Sequence, residues 1–255
     1  MAMWIAHRGE SADAPENTVA AYRLAAARNV DGIECDIHLT ADKVVVCSHD
    51  ATTTRRCGVE MKIAQSTFAE LRKLDAGCGE KIPRFSELLQ VVNPGQLLYV
   101  EIKISDPEII PLMMAEVDAS GVSREQIVVI SFLKATIENY KKMFPEQPAL
   151  LLMGLWKHDD GTFNPAMDLA FEADDRTDPI VDVAWEKVHE CGADGIDVRG
   201  YPACIDETFV RRFHDAGMPV AVWTIDDAPT AEYFIKLGVD AITSNCAAKI
   251  RDELK

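Results

Sequence analysis

The stretch Trp4-Ile5-Ala6-His7-Arg8-Gly9, followed by Pro15-Glu16-Asn17-Thr18 and then Val19-Ala20-Ala21-Tyr22-Arg23-Leu24-Ala25-Ala26-Ala27, decides how the fold is read. Trp4-Ile5-Ala6 is an apolar run suited to a buried strand, and Val19–Ala27 is a strong helix former. Pro15 suits a helix entry, and Glu16 favours the first turn through the helix dipole. Strand, polar loop and helix make one β/α unit, and His7 and Arg8 fall where the strand ends. In a parallel α/β protein that is the rim at which ligands bind. Taken alone, the stretch reads equally well as a polar loop with an incidental histidine.

The same unit recurs along the chain. Main strands are expected near Ile5, Ile37, Val100, Val129, Leu151, Ile196, Val222 and Ile242, each followed by a helical pattern. Gly32–Leu39 is the second strand; Thr40-Ala41-Asp42-Lys43 reads as a turn and Val44–Cys47 as a further short strand. Ala51–Pro83 is less regular, with one helix near Thr67–Leu74, and reads as an insertion in the second connection. Asp159–Asp178 is polar and interrupted by Gly161 and Pro165, with Pro179 at its end, so a long loop with one helical piece is expected. Eight β/α units in about 250 residues match a (β/α)8 TIM barrel. The fold class is therefore α/β, a TIM barrel with a small insertion after the second barrel strand. One domain, residues 1–255, is expected, with 51–83 inserted in it. An open doubly wound sheet is the alternative, but no Gly-x-Gly-x-x-Gly follows the first strand.

Hydrophobic residues make up 48% of the 255, enough for a large core, while 26 basic against 42 acidic residues leave a formal charge of −16. So acidic a chain argues against nucleic acid or an anionic membrane as partner. An anionic substrate would need a local reversal of the field. No apolar run approaches the roughly 20 residues of a membrane-spanning helix, and His7-Arg8 interrupts the first apolar stretch where a leader would continue. A cytoplasmic protein is expected, though a leader already removed would leave no trace. The seven cysteines are scattered with no Cys-x-x-Cys and read as reduced thiols. A homo-oligomer is compatible with the sequence.

Glu34-Cys35-Asp36 lies within the second strand, where side chains alternate between faces. Glu34 and Asp36 share one face, and Ile33, Cys35 and Ile37 the other. On the third main strand Val100 and Ile102 oppose Glu101 and Lys103. If the apolar set packs on the helices, three acids and one lysine point into the barrel, where repulsion and desolvation work against them. A hard divalent cation, magnesium or calcium, would resolve the conflict. A set of salt bridges among Glu34, Asp36, Glu101, Lys103 and Arg8 is the other solution, although buried ion pairs seldom recover their desolvation. His49-Asp50 follows Val44–Cys47 and again sits at a strand end. His38 shares the face of Asp36 and is a weaker site candidate. His158, in a polar loop, and His189 and His214, on helices, read as surface groups.

Together these pieces resemble the glycerophosphodiester phosphodiesterase family along the whole chain. The resemblance rests on His7-Arg8-Gly9 with Pro15-Glu16-Asn17-Thr18; Glu34-x-Asp36 followed by Thr40-x-Asp42; and His49-Asp50 with Thr52 and Arg55. Ile82-Pro83, Glu101-Ile102-Lys103, Ser131-Phe132 and Trp223-Thr224 continue it. It implies a TIM-barrel enzyme of lipid and glycerol metabolism that hydrolyses a small-molecule glycerophosphodiester to glycerol phosphate and an alcohol. It further implies His7 and His49 as an acid–base pair, and Glu34, Asp36 and Glu101 as ligands of a divalent metal. Arg8 and Lys103 would contact the phosphate, and Trp223 would line the pocket. Two rim positions depart from the pattern. Asp226 stands where the family often has Asn, and Thr243-Ser244-Asn245 stands where it often has Thr-Asp and a nearby proline; these departures bear on alcohol specificity.

Histidine, with an unperturbed pKa of about 6.5, can take a proton from the nucleophile and return one to the leaving alkoxide. The nucleophile is either water or the glycerol's own 2-hydroxyl, which would give a cyclic phosphate opened in a second step. Competing readings are a phospholipase D-like enzyme acting on lysophospholipid or sphingomyelin, a metal-dependent barrel lyase or isomerase, and a non-catalytic phosphate-ligand binding protein on the same barrel.

Overall fold

The computed structural model describes residues 2–157, 161, 163–166 and 179–255. Among them run ten strands: β1 (Met3–Ala6), β2 (Gly32–Leu39), β3 (Val45–Cys47), β4 (Leu97–Ile102), β5 (Ile127–Ser131), β6 (Ala149–Lys157), β7 (Phe163–Ala166), β8 (Gly195–Arg199), β9 (Val220–Trp223) and β10 (Ala241–Ser244). Eight of these pair in parallel in the order β1, β2, β4, β5, β6, β8, β9, β10, and β10 pairs back onto β1. The sheet thus closes into a TIM barrel, and every strand centre expected from the sequence falls in one of the eight. Helices Val19–Ala27, Phe85–Leu89, Ile109–Ser120, Lys134–Met143, Ile180–Cys191, Glu207–His214, Ala228–Leu237 and Ala247–Glu253 follow them in turn. Their entries are capped as the side chains dictate: Thr18, Asp206 and Asp227 each accept a hydrogen bond from a backbone N–H of the first turn. No described helix is long and apolar enough to cross a membrane.

The alternation along the strands divides the interior into two layers. Ile33, Cys35, Ile37, Val100 and Ile102 belong to the core between strands and helices, with Tyr22, Leu88 and Met113. Ile5, Tyr99, Val128, Ile130, Leu150, Leu152, Ala221 and Ala241 fill the inside of the barrel. Only the upper end of the interior is given over to polar groups, so the lower layers hold the geometry of the rim.

Two connections depart from the plain barrel. β3 runs antiparallel to β2, with Ile37 opposite Cys47, and turns the chain back toward the rim. Beyond it, Thr54–Cys57 and Phe68–Leu71 are short helices around a small apolar cluster of Val46, Ile63, Leu71, Ala76 and Ile82. The second departure corrects the expected loop after β6. There the chain forms β7, paired antiparallel with β6 so that Leu155 faces Pro165 in register. Proline argues against a central strand but is tolerated at an edge, and β7 pairs with β6 alone among the described residues. The rest of Asp159–Asp178, and His158, lie outside the described residues.

One glycine fixes the loop that carries His7 and Arg8. Gly9 has φ +80°, and a Cβ there would sit 2.6 Å from the backbone carbon of Ala21 in the following helix. The next residue, Glu10, donates its N–H to the Ala21 carbonyl at 3.1 Å, so the loop cannot lift away freely. Gly9→Ala is expected to destabilise the fold by about 1–3 kcal/mol. Denaturant unfolding checks this, and a midpoint equal to wild type would show that the loop has room to shift.

Candidate active site

The barrel's strand pairing brings the acids together. β2 and β4 are in register with Glu34 opposite Tyr99 and Asp36 opposite Glu101. Ala6 of β1 is level with Ile33 of β2, which brings His7 and Arg8 to the height of Glu34. One oxygen each from Glu34, Asp36 and Glu101 lies within 4.8 Å of the other two, and all three side chains are buried. The cations sit in the same cluster. Lys103 Nζ is 3.0 Å from Asp36 Oδ1 and 2.6 Å from Glu101 Oε1, and Arg8 Nε is 3.2 Å from Asp36 Oδ2. The Arg8 backbone N–H donates to Glu34 Oε2 at 2.8 Å, with Arg8 at φ 56°. Asn17 Nδ2 donates to Asp36 Oδ2 at 2.7 Å while its Oδ1 accepts from Tyr22.

These contacts divide the acids. Burial raises Asp36, but Lys103 and Arg8 outweigh it and hold the carboxyl well below the usual range. Burial and then the neighbouring Asp36 push Glu34 well up, and burial carries Glu101 to about 7 despite Lys103. The salt bridges anticipated as one solution therefore exist, and they favour the charged form of Asp36 while Glu34 and Glu101 stay raised. Among the described residues, Glu34 Oε1 and Asp36 Oδ1 are both buried without a hydrogen-bond partner.

The two histidines reach the cluster from different sides. His7 follows β1 and hydrogen-bonds through Nδ1 to Asn245 Oδ1 at 2.8 Å, leaving Nε2 4.0 Å from Glu34 Oε2. Burial, with Arg8 alongside, pushes its imidazole down to about 4. His49 follows β3 and bonds through Nδ1 to Asp50 Oδ1 at 2.7 Å. Asp50 accepts from Arg55 Nε at 2.6 Å, and Arg55 also grips Glu16, which in turn accepts from Arg8. Burial lowers His49 as well.

His7, Arg8, Glu34, His49, Glu101, Lys103 and Trp223 line one cavity of about 170 Å³, with Asp36 buried directly behind. All eight residues singled out in the sequence are thus brought together. His38 is not among the lining residues; its Nε2 lies 3.2 Å from the His49 carbonyl and supports that loop. His189 and His214 are exposed, as expected. Phe132 meets Trp223 edge to face at 5.6 Å, and the pair forms an apolar wall.

Sequence reading passed over Asp197 and took Thr243 only as part of a rim departure; both also line the cavity. Asp197 Oδ1 and Thr243 Oγ1 are buried with no hydrogen-bond partner among the described residues. The alternation that marks Glu34 also marks Asp197, a lone acid between Ile196 and Val198. Burial, then the charge of Glu101, raises its carboxyl to about 8.

Comparison with known proteins gives a consistent picture. The model of the glycerophosphoryl diester phosphodiesterase family matches residues 7–249. A glycerophosphodiester phosphodiesterase of Caldanaerobacter subterraneus subsp. tengcongensis is 30% identical over 253 residues, covering 94% of this chain and 93% of that protein. Human glycerophosphodiester phosphodiesterase 1 is 37% identical over 109 residues, 39% of this chain and 33% of its own. Among solved structures, an Oleispira antarctica phosphodiesterase in complex with the product sn-glycerol-3-phosphate superposes with a TM-score of 0.78. It is 24% identical, with 98% of this chain and 95% of that one covered. A glycerophosphodiester phosphodiesterase from Thermotoga maritima gives 0.74 at 21% identity, covering 100% and 99%. At these identities the two structures show a shared fold.

Asp197 gives the site a pH signature. Its folded pKa of about 8 lies above the unfolded value of about 3.9. Between those values the folded state holds a proton that the unfolded state has lost, so this group's contribution to stability is full below pH 4 and declines up to pH 8. Asp197→Asn does not titrate. In chelator, its melting temperature relative to wild type should therefore rise between pH 5 and pH 8. A difference that is flat with pH would show that Asp197 is ionised in the fold.

Proposed function

Since the chain belongs to the glycerophosphoryl diester phosphodiesterase family and is a phosphoric diester hydrolase, we propose that it cleaves a glycerophosphodiester to glycerol phosphate and an alcohol, with His7 and His49 as its acid–base pair. The observation that carries this reading is the shared cavity: two histidines, two cations and two of the three clustered acids face one space at the strand ends. The glycerol-3-phosphate held by the Oleispira relative supports the same substrate class.

The donor set fits a metal. Three carboxylate oxygens converge, and Glu34 Oε1 has no hydrogen-bond partner among the described residues. Glu34, Asp36 and Glu101 would hold one divalent cation, magnesium or calcium, which when bound supplies positive charge against the phosphate oxygens. Arg8 and Lys103 add theirs, so an acidic protein presents a locally favourable field to an anion. One histidine accepts the proton of the attacking hydroxyl, and the other donates a proton to the departing alkoxide. The proton count balances over the cleavage. Trp223 and Phe132 exclude water from one side of the cavity. The unpaired Asp197 Oδ1 and Thr243 Oγ1 suit the hydroxyls of a glyceryl group. In this scheme residues 1–255 work as one phosphodiesterase domain, and the inserted 51–83 segment contributes Arg55, which ties the His49 loop to the Arg8 loop through Asp50 and Glu16.

A single panel tests the reading. Release of glycerol phosphate is measured on glycerophosphodiesters and lysolipids with calcium, magnesium or chelator, for wild type, His7→Ala and His49→Ala. Each variant should stay folded with kcat lowered by about 10²–10⁴, and chelator should abolish turnover that a divalent ion restores. Near-wild-type turnover in either variant removes that histidine from the chemistry. Full activity after exhaustive chelation would make the acids a salt-bridge cluster, and preference for lysolipids would shift the reading to a phospholipase D-like enzyme. A propanediol diester lacking only the 2-hydroxyl, included in the panel, should be cleaved far more slowly if that hydroxyl attacks first.

A further inference from the structure

The two rim departures from the family pattern, Asp226 and Asn245, meet behind His7. β1 and β10 pair with Ala6 level with Ser244, so the next residue of each, His7 and Asn245, come side by side across 238 positions of sequence. Asn245 is held on several sides. Its backbone N–H donates to Asp226 Oδ1 at 2.8 Å, and its carbonyl accepts from Ala12 N at 2.9 Å. Its side-chain Nδ2 donates to Asp226 Oδ2 at 2.6 Å. Ser244 Oγ also donates to Asp226 Oδ1, at 2.9 Å. Ser11 Oγ lies 2.8 Å from both Asn245 Oδ1 and the His7 carbonyl.

The direction of these bonds follows from chemistry. The Asp226 carboxylate only accepts, so the Asn245 amide must turn its NH2 toward Asp226 and its oxygen toward His7. An oxygen facing His7 Nδ1 requires that nitrogen to carry the proton. We propose that Asn245, oriented by Asp226, is a positioning residue that holds His7 as the Nδ1–H tautomer, with Nε2 unprotonated and facing the cavity. The proposal rests on the reading of His7 as a proton-transfer group. It assigns the two rim replacements to His7 and not to the alcohol. It also distinguishes the two histidines, since a neutral amide backs His7 whereas a carboxylate backs His49.

The chain of bonds makes a sharp demand on one variant. In Asp226→Asn, an amide replaces the acceptor pair. The side facing the fixed backbone N–H of Asn245 must remain oxygen, so the NH2 faces the Asn245 side chain. That side chain then turns over and offers its own NH2 to His7 Nδ1, which selects the opposite tautomer. Asn245→Asp alone sets two carboxylates against each other. The double exchange Asp226→Asn/Asn245→Asp restores the pattern, because a carboxylate at 245 accepts from both neighbours.

The test is nitrogen NMR on protein labelled with 15N-histidine, with His7 assigned by loss of its signals in His7→Gln, alongside kcat and KM. Wild type should show a protonated Nδ1 and an unprotonated Nε2 at His7, and Asp226→Asn should reverse them. kcat in Asp226→Asn and Asn245→Leu should fall about 10- to 100-fold with KM nearly unchanged, and the double exchange should recover most of it. An Nε2–H tautomer in wild type, or one unaffected by Asp226→Asn, overturns the proposal. Reversal of the tautomer with kcat unchanged would instead overturn proton transfer by His7, leaving the tautomer assignment intact.

Discussion

Asp36 is fully buried near the top of the barrel, and its ionised form has to be supported there by protein. Lys103 Nζ at 3.0 Å, Arg8 Nε at 3.2 Å and Asn17 Nδ2 at 2.7 Å supply that support. The Lys103 side chain is itself only 1% exposed, and among the described residues its ion-pair partners are Asp36 and Glu101. Losing one member of such a set leaves an uncompensated buried charge, at about 3–5 kcal/mol. The loop after β1, the entry to the first helix, β2 and β4 are therefore bound into one unit. The left-handed backbone at Arg8 and Asn17 and the close approach of Gly9 to Ala21 belong to the same arrangement, because Arg8 and Asn17 reach Asp36 from that side.

Satisfying Asp36 leaves Glu34 and Glu101 under strain. Burial and the nearby negative charge of Asp36 raise both above the usual carboxylate range. A core built for stability alone would place apolar residues here, as the lower layers of the same barrel do. The exception coincides with the strand ends on which the cavity opens, as expected where function overrides local consistency. Arg8 and Lys103 offset only part of the negative charge of the clustered acids, so the proposed anionic substrate calls for the proposed cation as well.

The histidines show how one barrel gives like residues unlike surroundings. His7 rests on the amide of Asn245, reached through closure of the first strand on the last. His49 rests on Asp50 and, behind it, on Arg55 in the connection between β3 and β4. Glu16 joins Arg55 to Arg8, so the two supports share a common anchor.

Side-chain alternation has a period of two residues and is a local property. The sequence alone therefore determined the eight β/α units, the inward face of Glu34, Asp36, Glu101 and Lys103, and the strand-end positions of His7 and His49. Asp197 was legible by the same rule, standing alone between Ile196 and Val198, and went unremarked because no second acid neighbours it in sequence. The strand β7 was hidden by Gly161 and Pro165, which read as breakers until an edge position, paired among the described residues with β6 alone, makes proline tolerable. What no local pattern carries is register. Which residue of β2 stands opposite Glu101, and that Ala6 stands beside Ser244, depends on how far each of eight strands is staggered before the sheet closes. Closure is a property of all the strands together, and it decided that the acids share one 4.8 Å cluster and that Asp226 and Asn245 back His7.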